Sequence, residues 1–185
     1  MKIINRKQCK KVIEIEKEIR KKTITGNKRI NWITREHESV LERYQKLLRL
    51  DEYYSNTATG LKKFLQLWYR YRKNRLGERL GITIGKNVFD EGLLIWHYGY
   101  IVVNGMAKIG KNCSLHGNNC IGNDGIHPEA PVIGDNVDIG AGASIIGNVR
   151  IANDVRVGAG AVVVHSINTP GVTVVGVPAK VVRKG

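Results

Sequence analysis

Aliphatic residues recur every six positions along the second half of this chain. Val103, Ile109, Leu115 and Ile121 form one phased run, and Ile133, Ile139, Ile145, Ile151, Val157 and Val163 form a second. A period of six cannot be one helix face, because at about 100° per residue each step of six turns by about 240°. Extended chain accommodates it, since positions an even number apart lie on one side of a strand. Within the repeats Gly often follows the aliphatic (Gly110, Gly122, Gly134, Gly140, Gly158), and four positions on stand Ala107, Cys113, Val137, Ala143, Val149, Val155 and Ala161. These smaller residues are expected where the chain turns a tight corner. Short strands joined by such corners, each repeat lying on the one below, make a β-solenoid with faces about six residues long and coils about 4.8 Å apart.

Composition divides the chain at the same place. Of the 21 glycines, 18 lie after residue 80, whereas residues 1–80 hold 22 Lys/Arg against 9 Asp/Glu and residues 81–185 hold 8 against 7. We therefore read 1–80 as a basic α-helical N-terminal region and 81–185 as a mainly β solenoid. Val12, Ile15 and Ile19 share one helical face; Val40, Leu41, Tyr44, Leu47 and Leu48 mark a second; Leu61, Phe64, Leu65 and Trp68, running into Tyr71 and Leu76, mark a third. Thr23–Asn27 and Ser55–Gly60 read as breaks. The Lys/Arg load has two readings: a solvated helix surface, or attraction to an anionic partner such as a membrane face or a lipid-linked glycan. No nucleic-acid recognition pattern accompanies the charge, so no specific nucleic acid is expected.

No segment approaches the roughly 20 apolar residues that cross a bilayer, and Met1–Arg20 is too charged for a secretory signal. A cytoplasmic protein is expected, membrane-peripheral if the basic helices meet an anionic surface. Cys9, Cys113 and Cys120 form neither an even framework nor a CxxC pair, so reduced thiols are expected.

The repeats IGKNCS, IGDNVD, IGAGAS and VGAGAV resemble the hexapeptide signature of left-handed parallel β-helix acyltransferases, with three hexapeptides per coil. The resemblance covers roughly Gly81–Lys184. The ending GVTVVGVPAKVVRK is similar to the segment that closes over coenzyme A in the serine and sugar acetyltransferase branches. The resemblance implies an acetyl-CoA-dependent O-acetyltransferase without a metal, assembled as a homotrimer with active sites between neighbouring solenoids.

Acetyl transfer from a thioester to an alcohol needs a base for the hydroxyl proton, and imidazole suits pH 7. Ile95-Trp96-His97-Tyr98-Gly99-Tyr100-Ile101 resembles the family's catalytic segment, which makes His97 the general base. The hexapeptide register stops after Ile121 and resumes at Ile133, leaving a loop at 123–131. His127 in this loop, before Pro128, resembles a histidine that lines the acceptor pocket. His116 is a weaker candidate; His37 reads as solvated and His165 as structural.

By the same resemblance Asn123 lies near the pantetheine thiol, Ala141 and Ala159 line the coenzyme A groove, and Gly176 and Lys180 belong to the closing segment, with Lys180 near the phosphates. In serine acetyltransferases an Asp precedes the catalytic His and an Arg precedes the loop His; here Trp96 and Ile126 stand there. The family's orienting Asp aligns with Thr83; Asp90, Glu91 or a backbone carbonyl is its substitute, and Asp90 and Glu91 are also assigned, with Trp96 and Tyr98, to acceptor binding. Trp96, Tyr98 and Tyr100 form an aromatic surface of the kind that stacks on sugar rings. These departures point to a sugar hydroxyl of a capsular, exopolysaccharide or lipopolysaccharide precursor as acceptor. The alternative is serine O-acetylation in cysteine biosynthesis.

Overall fold

The computed structural model describes residues 1–23 and 36–183. Helices α1 (Arg6–Thr23), α2 (His37–Thr57) and α3 (Lys63–Leu80), with a 3-10 turn at Gly60–Lys62, precede fourteen short strands. Of the expected breaks, Ser55–Gly60 coincides with the end of α2, and residues 24–27 lie outside the described residues.

Gly81 converts helix to strand. Its φ of 68° is a left-handed cap whose N–H reaches the Gly77 carbonyl. A Cβ there would stand 2.7 Å from the Gly99 carbonyl oxygen, so the turn into the first coil needs glycine twice over.

The strands form three parallel faces. Face A stacks β1 (Ile82–Ile84), β3 (Ile101–Val103), β6 (Cys120–Gly122), β9 (Ser144–Ile146) and β12 (Val162–Val163). Face B stacks β4 (Lys108–Ile109), β7 (Val132–Ile133) and β10 (Arg150–Ile151), extended by bridges at Phe89 and Ile167. Face C stacks β2 (Leu94–Ile95), β5 (Ser114–Leu115), β8 (Asp138–Ile139), β11 (Arg156–Val157) and β13 (Thr173–Val175). The last strand, β14 (Lys180–Arg183), folds back antiparallel on β13. The chain visits A, B and C in turn, and Val103 pairs with Ile121, which pairs with Ile145.

All ten six-spaced aliphatics are buried inside this prism. Each contributes roughly 1.5–3 kcal/mol of hydrophobic stabilisation. The smaller residues do something other than turn the chain. Ala107, Cys113, Val137, Ala143, Val149, Val155 and Ala161 point inward and are buried, filling the narrow angles of the prism. At five of the seven the turn itself falls to the residue before, in the left-handed region: Asn112, Asn136 and Asp154 at φ 55°, 57° and 61°, and Gly142 and Gly160. Asn112 donates to Asn136 and Asn136 to Asp154, both at 2.9 Å, so the strained corners are also a hydrogen-bonded ladder.

The helices cap the first coil. Leu41, Tyr44, Leu48 and Leu80 join the solenoid core, but the contact also has a buried polar layer. Arg49 donates to the carbonyls of Phe89 and Asp90, Gln45 to that of Leu93, and Arg20 to that of Ile95. Carbonyls at the open end of a β-stack are an unpaired edge, and these side chains occupy it. The inward face of α1 is accordingly Cys9, Val12, Glu16 and Arg20, with Ile15 and Ile19 only half-buried.

On α3 the apolar stripe read from the sequence faces outward: Leu61 is 97% exposed and Phe64 73%. Lys73, Gly77 and Leu80 form the buried side instead. No described helix is long and apolar enough to cross a membrane.

Candidate active site

Trp96 and His97 follow β2 at the corner where face C passes to face A. The parallel register of face C sets Ile95 over Leu115, Leu115 over Ile139, Ile139 over Val157 and Val157 over Val174. Two residues further on, the same stacking aligns His97, Gly117, Ala141, Ala159 and Gly176 in one column along the corner. Main-chain bonds link its middle members, Gly142 N–H to the Gly117 carbonyl at 2.9 Å and Gly160 to Ala141 at 2.8 Å, while the Gly176 carbonyl accepts from Val162 of face A at 3.0 Å.

Every member below His97 is Gly or Ala, so no side chain longer than a methyl group stands between the backbone of this corner and whatever lies against it. At about 4.8 Å per coil, four steps separate His97 from Gly176 by roughly 19 Å. Ala141, Ala159, Gly176 and Lys180 are all exposed. Lys180 lies opposite Val175 in the closing hairpin, next to the far end of the column.

His97 is exposed, as are Tyr98 and Tyr100 on the same turn. Gly117, at φ 113°, lies directly beneath it, where a Cβ would come within 3.3 Å of the His97 Cβ. The other wall comes from the helices. His37, the first residue of α2, stacks on the His97 ring with centroids 5.3 Å apart and planes at 26°, and its Nε2 lies 3.7 Å from a Glu38 carboxylate oxygen. No local pattern marks this contact, since His37 stands among charged residues at a helix start.

Trp96 turns away from solvent and stacks on His116 at 5.5 Å. His116 Nε2 in turn lies 2.7 Å from Asp138 Oδ1, and the Trp96 Nε1–H is buried with no acceptor among the described residues.

Asp90 and Glu91 do not join this corner. They stand where face B passes to face C, Asp90 paired with the Met1 amine and Glu91 with Lys111 at 3.1 Å. Both carboxylates are committed elsewhere, which corrects the expectation that either substitutes for the missing orienting Asp. Thr83 lies in β1 opposite Val102, exposed on face A. His165 is exposed next to Ser166, whose hydroxyl accepts the Arg150 N–H. Cys113 is sealed inside the prism, where burial pushes its thiol far above the usual range, and burial pushes Cys9 up to about 11. Neither is a nucleophile.

His127 lies on the loop between β6 and β7, at the corner where face A passes to face B. Within one chain, face A therefore separates His127 from His97. The loop is ordered around Asp124, which accepts the N–H groups of Ile126 (2.9 Å) and His127 (2.7 Å) and holds His127 Nδ1 at 2.9 Å. Asn123 bridges the loop base, accepting from Asn104 at 3.3 Å and donating to the His127 carbonyl at 3.0 Å. The bonds from His127 hold the Asp124 carboxyl well below the usual range, and Asp124 raises the imidazole above its ordinary 6.5.

The pair thus favours the folded loop between the ordinary carboxylate range and the raised histidine value. It weakens as pH rises through that value, and again in acid as Asp124 protonates. Asp124→Asn is expected to return the His127 titration, followed by imidazole NMR, to near 6.5. An unchanged midpoint would show that the contact does not set it.

Glu36, His37 and Glu38 are the described residues whose ligand atoms cluster within 4.8 Å of one another. Three consecutive residues on one partly exposed turn surround an ion from one side only, which is a poor metal site.

The bacterial transferase hexapeptide family (six repeats) matches residues 130–165, the coils that carry Ala141 and Ala159. Residues 130–165 of this chain carry the hexapeptide repeats of that family. The solenoid is the left-handed parallel β-helix of that family, preceded by helices. A serine acetyltransferase of Buchnera aphidicola is 31% identical over 159 residues, covering 80% of this chain and 60% of that protein. One of Mycobacterium tuberculosis is 36% identical over 104 residues, 55% of this chain and 43% of its own length. The chain thus spans about half the length of the curated relatives it matches.

Among solved structures, Neisseria gonorrhoeae serine acetyltransferase superposes with a TM-score of 0.72 at 28% identity, over 96% of this chain and 68% of that one. The Brucella abortus enzyme in complex with coenzyme A has the same fold, with a TM-score of 0.71 at 21% identity. These relatives overturn the sugar-hydroxyl reading in favour of the serine alternative. Trp96 and Ile126 stand where the resemblance expects charged neighbours, and that departure does not decide the acceptor class.

Proposed function

We propose that this protein transfers the acetyl group of acetyl-CoA to the hydroxyl of L-serine. The observation that carries the reading is the column at the C-to-A corner, a histidine at one end of a row of Gly and Ala with a lysine at the other. Coenzyme A lies along Ala141 and Ala159 with its phosphates toward Lys180 and its thioester toward His97. His97 removes the serine hydroxyl proton as the oxygen attacks the thioester carbon. Backbone N–H groups at the corner hold the oxyanion, the intermediate collapses, and the protonated imidazole returns its proton to the departing thiolate.

Glu38, brought to the corner through His37, is the carboxylate we assign to the serine ammonium. His127, whose protonated form Asp124 favours, is the group we assign to its carboxylate. Face A separates His127 from His97 in one chain, so a site that holds both needs two neighbouring copies, and the homotrimer that the family resemblance implies supplies them.

Two measurements test this. Thiol release with acetyl-CoA is expected to be fastest with L-serine among amino acids and hydroxylated small molecules; turnover no greater than water hydrolysis refutes the acceptor. Mixing inactive His97→Ala and His127→Ala chains is expected to restore part of the activity, since some interfaces then hold both histidines. No restoration would place the two in separate sites or make one dispensable.

A further inference from the structure

The cations of α3 fall into two groups. On the inner side each has a carboxylate: Lys73 lies 3.0 Å and Arg70 3.5 Å from Asp51. On the outer side Arg72, Arg75 and Arg79 follow one another at helical spacing and, with Arg43 of α2, line a cleft of about 370 Å³. None of these four forms an ion pair among the described residues.

Two of them are held in place by aromatic side chains. The Arg72 guanidinium sits 4.7 Å from the centre of the Trp68 ring, and Arg75 donates to the Tyr71 hydroxyl at 2.6 Å. Leu47, buried, floors the cleft.

Four guanidiniums lining one cleft without a counter-charge repel one another, and a multiply charged anion offsets that repulsion. The planar forks match tetrahedral oxyanions in bidentate fashion, better than they match a single chloride. The volume lies at the lower end of the range for small-ligand sites and is far larger than the ~30 Å³ of a water. A second copy of this stripe does not fit: it would set guanidiniums against guanidiniums, or against Leu61 and Phe64, burying charge without a partner.

We propose that the cleft between α2 and α3 binds a compact phosphate-bearing anion through Arg43, Arg72, Arg75 and Arg79. The phosphate belongs either to a soluble phosphoester or to a lipid headgroup whose chains meet exposed Leu61 and Phe64.

The test titrates the full-length protein with sodium pyrophosphate by calorimetry and with vesicles of equal parts phosphatidylglycerol and phosphatidylcholine by cosedimentation. Saturable pyrophosphate binding at one site per chain is expected, weakened about tenfold or more by Arg72→Gln with Arg75→Gln, or by exposed Arg79→Gln, with the thermal midpoint retained. A charge-matched Lys10→Gln, Lys17→Gln variant is expected to bind as the parent does. Vesicle binding that falls in both the arginine variants and Phe64→Ser identifies the lipid as the source; pyrophosphate binding without vesicle binding identifies the soluble ligand. Absence of binding to either probe, or equal loss in the lysine control, overturns the site.

Discussion

Replacing His97 by Ala is expected to lower kcat/KM for serine acetylation by about 10²–10⁴-fold, the range that a positioned general base contributes. The loss should fall on kcat. Coenzyme A contacts are assigned to Ala141, Ala159 and Lys180, several coils away, so its dissociation constant should be unchanged by calorimetry. The thermal midpoint should also hold, because His97 is exposed and its one described ring contact is the stack on His37. This combination separates a lost base from a damaged fold. Activity within tenfold of the parent would move the base elsewhere, to His127 or to His116 beside Asp138.

The solenoid was legible because its physics repeats. A side chain inside a narrow prism must be aliphatic at every coil, so the period survives in the residues as Val103 through Val163. The column at the reaction corner is a consequence of the same register, and aligning His97 with Ala141 and Ala159 requires only counting along stacked strands.

What escaped reading lies in the helices, where long-range contacts decide. Glu16 and Arg20, not Ile15 and Ile19, face the solenoid, because the end of a β-stack offers carbonyls: Arg20 donates to one, and Glu16 holds the Arg49 that donates to two more. Leu61, Phe64 and Trp68 have ordinary helical spacing, yet the side of α3 that packs is set by Gly77 and Leu80 at its junction with β1. His37 and His97 are sixty positions apart, and no local pattern links them.

The largest effect on stability is expected at Arg49. It is fully buried, with Glu16 at 2.6 Å and Glu52 at 2.8 Å, and those carboxylates keep it charged although burial disfavours the charge. Arg49→Met leaves two buried carboxylates without their cation, a change that costs about 3–5 kcal/mol. For a chain of this size that lowers the melting temperature by roughly 6–20 °C.

The more telling variant replaces all three residues, as Glu16→Leu, Arg49→Met and Glu52→Leu. Where buried ions do no more than pair with each other, an apolar triad of similar volume often matches or exceeds the parent. Here Arg49 also serves the Phe89 and Asp90 carbonyls, and Glu52 accepts the Asn87 N–H at 2.8 Å. The apolar triad leaves these main-chain groups unpaired at about 1–3 kcal/mol each, so it should recover only part of the loss. A triad at or above parental stability would show that the first coil needs no polar cap. A persistent deficit would show that the charged layer is retained because it completes the hydrogen bonding of the β-stack, two turns of chain upstream of His97.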